Sequence, residues 1–181
     1  MHGWALDAYT NRQGQTTNGK LVNAVKYRLE NDPEAAEMKA MILLSALKEF
    51  LVTMYPITYR PFDCLISPPS NTVRKFQLMK FIGDGLANPK VPNRSDELAK
   101  INLHSSVKAM SGKERFVTLP NTMKVLPKVS LPNPTGILIV DDVLGTGNTA
   151  KEVCRALEEV WPGTPRYFVA LTYLMDRSGA R

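Results

Sequence analysis

Ile137-Leu138-Ile139-Val140-Asp141-Asp142-Val143-Leu144-Gly145-Thr146-Gly147-Asn148-Thr149 is the stretch whose reading decides the fold. A short, fully apolar run from Ile137 to Val140 meets two carboxylates. Turn residues follow, and then helical spacing of Ala150, Val153, Leu157 and Val160. A strand buried on both faces reads as such an apolar run, and a strand feeding a glycine-bearing loop and a helix is half of a βαβ unit. Ligands in open α/β sheets collect at the carboxyl ends of strands, where this loop begins.

Each part of the run offers a different chemistry. Gly145 and Gly147 permit backbone angles closed to other residues, so successive N–H groups can curl into an anion-holding concavity at the start of a helix. The helix end adds partial positive charge. Thr146 and Thr149 offer hydroxyls to the same anion, with Val143, Leu144 and Asn148 completing the loop. Asp141 and Asp142 stand too close to bind a bare polyphosphate directly, but carboxylates accept hydrogen bonds from hydroxyls. An acidic pair followed by a phosphate cradle is therefore the order expected for a sugar phosphate. Its diol would rest on Asp141 and Asp142, its phosphate on residues 145–149, and a Mg²⁺ ion would be shared between diol and pyrophosphate.

Two rival loops fit less well. A Walker-type loop requires a lysine where Asn148 stands. The glycines with Ala150 do satisfy the Gly-x-Gly-x-x-Ala dinucleotide fingerprint, but only Lys151 to Arg181 remain for the strands and helices that should follow it. Two carboxylates ahead of the cradle would also repel a dinucleotide's pyrophosphate.

The run Val140 to Thr149 resembles the phosphoribosyl pyrophosphate (PRPP) motif of type I phosphoribosyltransferases. Asn18-Gly19-Lys20, Val25-Lys26-Tyr27-Arg28, the segment Phe62 to Ser70, and Met110-Ser111-Gly112-Lys113-Glu114-Arg115 occur in the order seen in ComF-like members of that group. The resemblance implies a PRPP site, Mg²⁺ as cofactor, and Lys26 and Arg28 near an active-site hood. ComF-family proteins often begin with a cysteine-rich zinc-binding segment, and none is present here, which argues against the family's DNA-uptake role more than against its PRPP site. Gly145 takes the position where purine-salvage relatives carry an aspartate that handles the base's ring proton. The resemblance therefore argues against 6-oxopurines as acceptors.

Working outward, the chain alternates helical and extended patterns. Asn18 to Glu30 reads as a helix with Leu21, Val22, Val25 and Leu29 on one side. Asp32 caps and Pro33 opens a second, in which Met38, Met41, Ile42, Leu44, Leu47, Phe50, Leu51 and Met54 make a broad buried face. Phe62 to Ile66 reads as a strand, Ser67 to Thr72 as a loop and Val73 to Ala87 as a helix. Ser95 to about His104 has helical spacing, Leu119 to Leu131 contains extended pieces, and Tyr167 to Leu174 is rich in β-formers. The expected architecture is α/β: a twisted, mainly parallel sheet with helices on both faces. A single domain spans 1–181, with hood and lid elements from about 1–30 and 88–134.

The second strand–loop–helix unit supplies a candidate pyrophosphate grip in Ser70, Asn71, Arg74 and Lys75. The last two fall in a predicted first helical turn, where cations oppose the dipole, and a broken local rule points to function. The irregular stretch Asn88 to Pro134 carries six prolines. Within it, Lys113 and Arg115 flank a hinge-capable Gly112. They are candidate catalytic cations on a closing loop that would steady the leaving group and exclude water.

Composition bounds the reading. At 181 residues, 44% hydrophobic and 22% charged, the chain has sequence for one sizeable core. With no signal-peptide pattern and no span of 18 apolar residues, the default expectation is a cytoplasmic protein without a membrane partner. Cys64 and Cys154 read as small buried side chains, and His2 and His104 complete no zinc site. A net charge of +6 attracts anions without choosing among a phosphorylated substrate, a nucleotide and a nucleic acid. A homodimer is a plausible assembly. Two functions follow: a phosphoribosyltransferase acting on PRPP and an unidentified nitrogen nucleophile, or a PRPP- or nucleotide-sensing module related to ComF that regulates a partner or nucleic acid. A catalytically inert assembly subunit is the third.

Overall fold

The computed structural model describes residues 2–55, 61–70, 72–101, 121–128 and 132–174. Its centre is a four-stranded parallel sheet in the order β1 (His2–Ala5), β8 (Arg166–Tyr173), β7 (Ile137–Leu144), β4 (Cys64–Ile66). Two short antiparallel pairs stand apart from it: β2 (Thr10–Asn11) with β3 (Gly14–Gln15), and β5 (Leu98–Lys100) with β6 (Met123–Val125).

Strand alternation builds two cores from β7 alone. Leu138 and Val140 join the side packed by α1 (Thr17–Asn23), α2 (Pro33–Met54) and α3 (Leu78–Leu86), while Ile137 and Ile139 join the side packed by α4 (Asn148–Val160). All four are at most 2% exposed. Helices on both faces are what an apolar, unalternating strand requires, and the α/β architecture is as expected. The β7–α4–β8 unit joins two adjacent parallel strands through one helix. Cys64 is a free thiol, and burial pushes it up to about 12, leaving it an inert packing group.

Three local readings are corrected. The predicted helix from Val73 begins only at Leu78. Ser70 Oγ accepts from Thr72 N–H and donates to the Thr72 carbonyl, and the Gln77 side-chain amide takes the carbonyls of Thr72 and Arg74. Side chains thus compete for the backbone groups an extra helical turn would use. Arg74 and Lys75 therefore lie in no helical turn, and the argument from an opposed dipole falls away.

The predicted helix from Ser95 is a 3₁₀ turn, Ser95–Glu97, followed by β5. Glu97 is drawn into a buried ion pair with Arg94 at 2.8 Å, and β5 finds its partner in β6, so tertiary pairing overrides local spacing. The inward face of α2 is Ala36, Ala40, Leu43 and Leu47, whereas Met38, Met41 and Ile42 point to solvent. An apolar residue on every side leaves the spacing unable to say which face packs. Strand β1 gives no sequence signal, being a short edge strand held by β8.

Two charged networks tie the β5–β6 pair to the sheet. Buried Glu152 on α4 accepts from the backbone N–H of Thr122 and Met123 at 2.7 and 2.9 Å and from Arg155, which hold its carboxyl below the usual carboxylate range against the effect of burial. Arg94 donates to Glu97 and the Pro132 carbonyl and stacks on the Trp161 ring at 4.7 Å. Among the described residues no helix is long and apolar enough to cross a membrane.

Candidate functional site

Strand β4 pairs with β7 only as far as Ile66 opposite Ile139, whereas β8 follows β7 to Leu144. Asp141 and Asp142 therefore lie beyond the end of β4, with no strand paired to that edge among the described residues. Face alternation also changes here: Val143 packs with Leu138 and Val140, and Leu144 with Ile137 and Ile139. The slip falls at the acidic pair. The Asp142 N–H donates to Asp141 Oδ1 at 2.8 Å, and the buried Thr172 hydroxyl donates to the Asp142 carbonyl at 3.1 Å.

The two carboxyls meet different surroundings. Asp142 forms an ion pair with Lys26 at 2.6 Å, both side chains being 19% exposed. Asp141 is pushed up to about 7, first by burial and then by the negative charge of Asp142; the Asp142 N–H, Lys26 and Lys100 pull the other way. Lys100, at the end of β5, is itself held below the ordinary lysine value by burial, with Asp141 opposing. A partly enclosed acidic pair is thus flanked by lysines from two different elements.

Lys26 reaches this position through a π-helical turn, Ala24–Arg28, closed by the Leu29 N–H on the Ala24 carbonyl at 3.0 Å. The turn continues α1, which is pressed against the chain at Tyr9: a Cβ at Gly19 would lie 2.0 Å from the Tyr9 carbonyl oxygen, so only glycine fits. Thr16 caps α1 by accepting from the Gly19 N–H. Val22 and Val25 are buried, which anchors the turn and leaves Lys26 toward Asp142. Single-turn π segments recur at functional sites because they re-aim a side chain within a helix.

The cradle has one special backbone position. Gly147 takes φ +77° and stands just before α4, with no side-chain cap. The first-turn N–H groups of α4 lack intrahelical acceptors and point out of the helix end. Gly145 does not have positive φ, and a Cβ there would make ordinary contact with Leu174 at 3.5 Å, so only one of the two glycines uses the conformational freedom expected of both. Gly145 and Thr146 are exposed; Asn148 and Thr149 are half-buried.

The loop after β4 contributes unequally. Arg74 lies over the Tyr27 ring at 5.5 Å, and Lys26 lies 5.7 Å from the same ring, so Arg74 joins the group around the acidic pair. Tyr27 is 60% exposed. Ser70 spends its hydroxyl on the local turn with Thr72, and Lys75 is exposed. Ser67, at the end of β4, is 3% exposed with its hydroxyl unpartnered. Asn71, Lys113 and Arg115 lie outside the described residues.

Lys100 and Tyr27 are site residues that the sequence reading did not single out, and Lys26 came only from resemblance. Lys100 sits in Leu98-Ala99-Lys100-Ile101, a pattern with no local cue, and only the pairing of β5 with β6 places it. Exposed apolar character at Tyr27, next to a lysine on a helix, is a signal too common to be selective.

No protein-family model matches the chain. No curated protein matches it either. Among solved structures it is similar to the Helicobacter pylori Xanthine-Guanine-Hypoxanthine Phosphoribosyltransferase, at 15% identity and a TM-score of 0.41, over 79% of this chain and 84% of that one. A likeness this distant carries no argument about activity, which rests on the site's own residues.

Proposed function

We propose that the chain is a type I phosphoribosyltransferase that binds PRPP with Mg²⁺ and passes the phosphoribosyl group to a nitrogen nucleophile, with ComF-like proteins as the subgroup its motifs most resemble. The observation that carries the reading is the Lys26-paired acidic couple Asp141–Asp142, beyond the end of β4 and one short loop before the Gly147-capped start of α4.

In this reading Asp141 and Asp142 accept hydrogen bonds from the ribose hydroxyls, and Gly145 to Thr149 hold the 5′-phosphate on backbone N–H groups and hydroxyls. The nucleophile's nitrogen bonds to the anomeric carbon as the bond from that carbon to pyrophosphate breaks. The electron pair leaves with pyrophosphate, and the nitrogen's proton passes to solvent. Positive charge from Lys26, Arg74 and Lys100 is then available where negative charge grows. Carboxylate oxygens are the hard donors Mg²⁺ takes, so Asp141 and Asp142 suit it, directly or through the sugar hydroxyls; when bound, the ion would neutralise leaving-group charge. Lys113, Arg115 and Asn71 stay in the proposal as lid and pyrophosphate contacts.

Calorimetric titration with PRPP, with and without Mg²⁺, tests the binding step. Incubation with PRPP and a panel of bases and amines tests the chemistry through pyrophosphate release. Saturable Mg²⁺-dependent binding and release with at least one acceptor are expected; no heat and no release in any mixture would overturn the reading. A second reading, a PRPP- or nucleotide-responsive module acting on nucleic acid, draws on the net charge of +6. Salt-sensitive DNA or RNA binding that PRPP modulates would favour it, and its absence would remove it.

A further inference from the structure

Helix α2 has apolar residues on opposite sides. Ala36, Ala40, Leu43 and Leu47 are fully buried, yet on the other side Met38, Met41, Ile42 and Val52 are 64, 57, 56 and 48% exposed. A surface helix ordinarily turns charged and polar residues to that side. At 100° per residue the outer stripe runs through Met38, Ser45 and Val52, with Met41 and Ile42 on either flank. Exposed Ser45, at its middle, is small enough to let another helix approach closely.

The rims of the stripe carry charge in opposite order. One rim has Glu37 toward the helix start and Lys48 toward its end; the other has Lys39 toward the start, with Glu49 between that rim and the stripe's centre toward the end. None of these four has an ion-pair partner among the described residues. Laid antiparallel on a second α2 about a two-fold axis near Met41 to Ser45, Glu37 faces the second copy's Lys48, and Lys39 faces the second copy's Glu49. The symmetry repeats each pair. In a parallel pair opposite rims meet, so Glu37 would face Lys39 and Lys48 would face Glu49; only the antiparallel pair sets Glu37 against Lys48, and the Glu37–Lys48 charge swap separates the two. A cavity of about 320 Å³, lined in part by Lys48, Leu51, Val52 and Leu86, adjoins the end of the stripe and extends the apolar surface onto α3.

We propose that the outer face of α2 docks on the same face of a second copy of this chain, as an antiparallel helix pair whose register is fixed by Glu37–Lys48 and Lys39–Glu49 contacts. Its occupant is selected by self-complementarity: the acid and cation on each rim are displaced along the helix so that each meets its opposite in a flipped copy. This claim is independent of the PRPP site.

Sedimentation equilibrium over a roughly hundredfold dilution is the test. The wild type should dimerise, and Met41→Glu and Ile42→Lys should each weaken association at least tenfold while helix content and melting midpoint of the monomer hold. Glu37→Lys and Lys48→Glu should each weaken the dimer, and the double variant should recover most of the loss, a pattern a merely apolar contact would not give. A wild type that stays monomeric at about 100 µM overturns the proposal, as does a dimer indifferent to Met41→Glu and to the charge swap. If Met41→Glu lowers the melting midpoint of a monomeric wild type, the face is covered by the chain's own residues and the proposal fails.

Discussion

Asp141→Asn should make the protein more stable at alkaline pH while weakening its hold on PRPP. The carboxyl is displaced from 3.8 to about 7 by burial and by Asp142. At about 1.4 kcal/mol per tenfold, a charged Asp141 costs the folded state as much as roughly 4 kcal/mol. The side chain is half-buried, so solvent screening reduces this to on the order of 2 kcal/mol.

The sign follows from the raised value: the native state binds a proton that the unfolded chain releases. Stability from this group is full near pH 4, falls as pH rises, and is lost above about 7. Asparagine has no proton to lose, so the variant's advantage should be smallest at the acid end of the range, about a quarter of its full size at pH 4.5, and reach a melting-point gain of roughly 4–8 °C at pH 8. Paired thermal melts of both proteins from pH 4.5 to 8.5 measure it. A difference that is flat with pH, or a variant that grows less stable as pH rises, would refute the assignment of a buried, repelled carboxylate. The same substitution should cost at least tenfold in PRPP affinity, because asparagine offers the ribose hydroxyls one neutral acceptor in place of a carboxylate. A variant that gained stability but bound PRPP as well as the wild type would leave the electrostatics standing and remove Asp141 from the ligand.

Lys26→Ala should weaken PRPP binding roughly tenfold, with Lys26→Arg retaining most of it, since an arginine keeps the charge facing Asp142; calorimetry that finds alanine equal to wild type removes Lys26 from the site. Gly147→Ala should lose about 1–2 kcal/mol in denaturant unfolding because φ is +77° there, whereas Gly145→Ala, with ordinary φ and room for a Cβ, should be nearly neutral. Equal effects at the two glycines would refute the cradle geometry. Glu97→Ala leaves the Arg94 guanidinium buried without its partner and should cost roughly 3–5 kcal/mol, read by urea melts; a loss below about 1 kcal/mol would show the pair to be more open to water than its geometry indicates.

What the chain's order of residues determined by itself is its local grammar. The apolar run Ile137 to Val140 could only be a strand covered on both faces, Asp32-Pro33 a helix start, and Gly147 a turn into the next helix. These readings need only neighbours in sequence: burial pattern, capping oxygen, backbone freedom. What tertiary structure decided is everything that depends on a contact between distant segments. The inward side of α2 was set by the sheet it meets, because apolar residues stood on both sides. Lys100 reached Asp141 because β5 paired with β6, and Ser95 to Glu97 abandoned helix for a buried ion pair. The candidate site was legible where its residues are contiguous, from Asp141 to Thr149, and illegible where it is assembled: Lys26 and Tyr27 enter from a π-turn, and Arg74 from a loop in which it lies over the Tyr27 ring. Long-range ion pairs and stacked rings leave no periodic trace, since each partner taken alone is an ordinary surface residue.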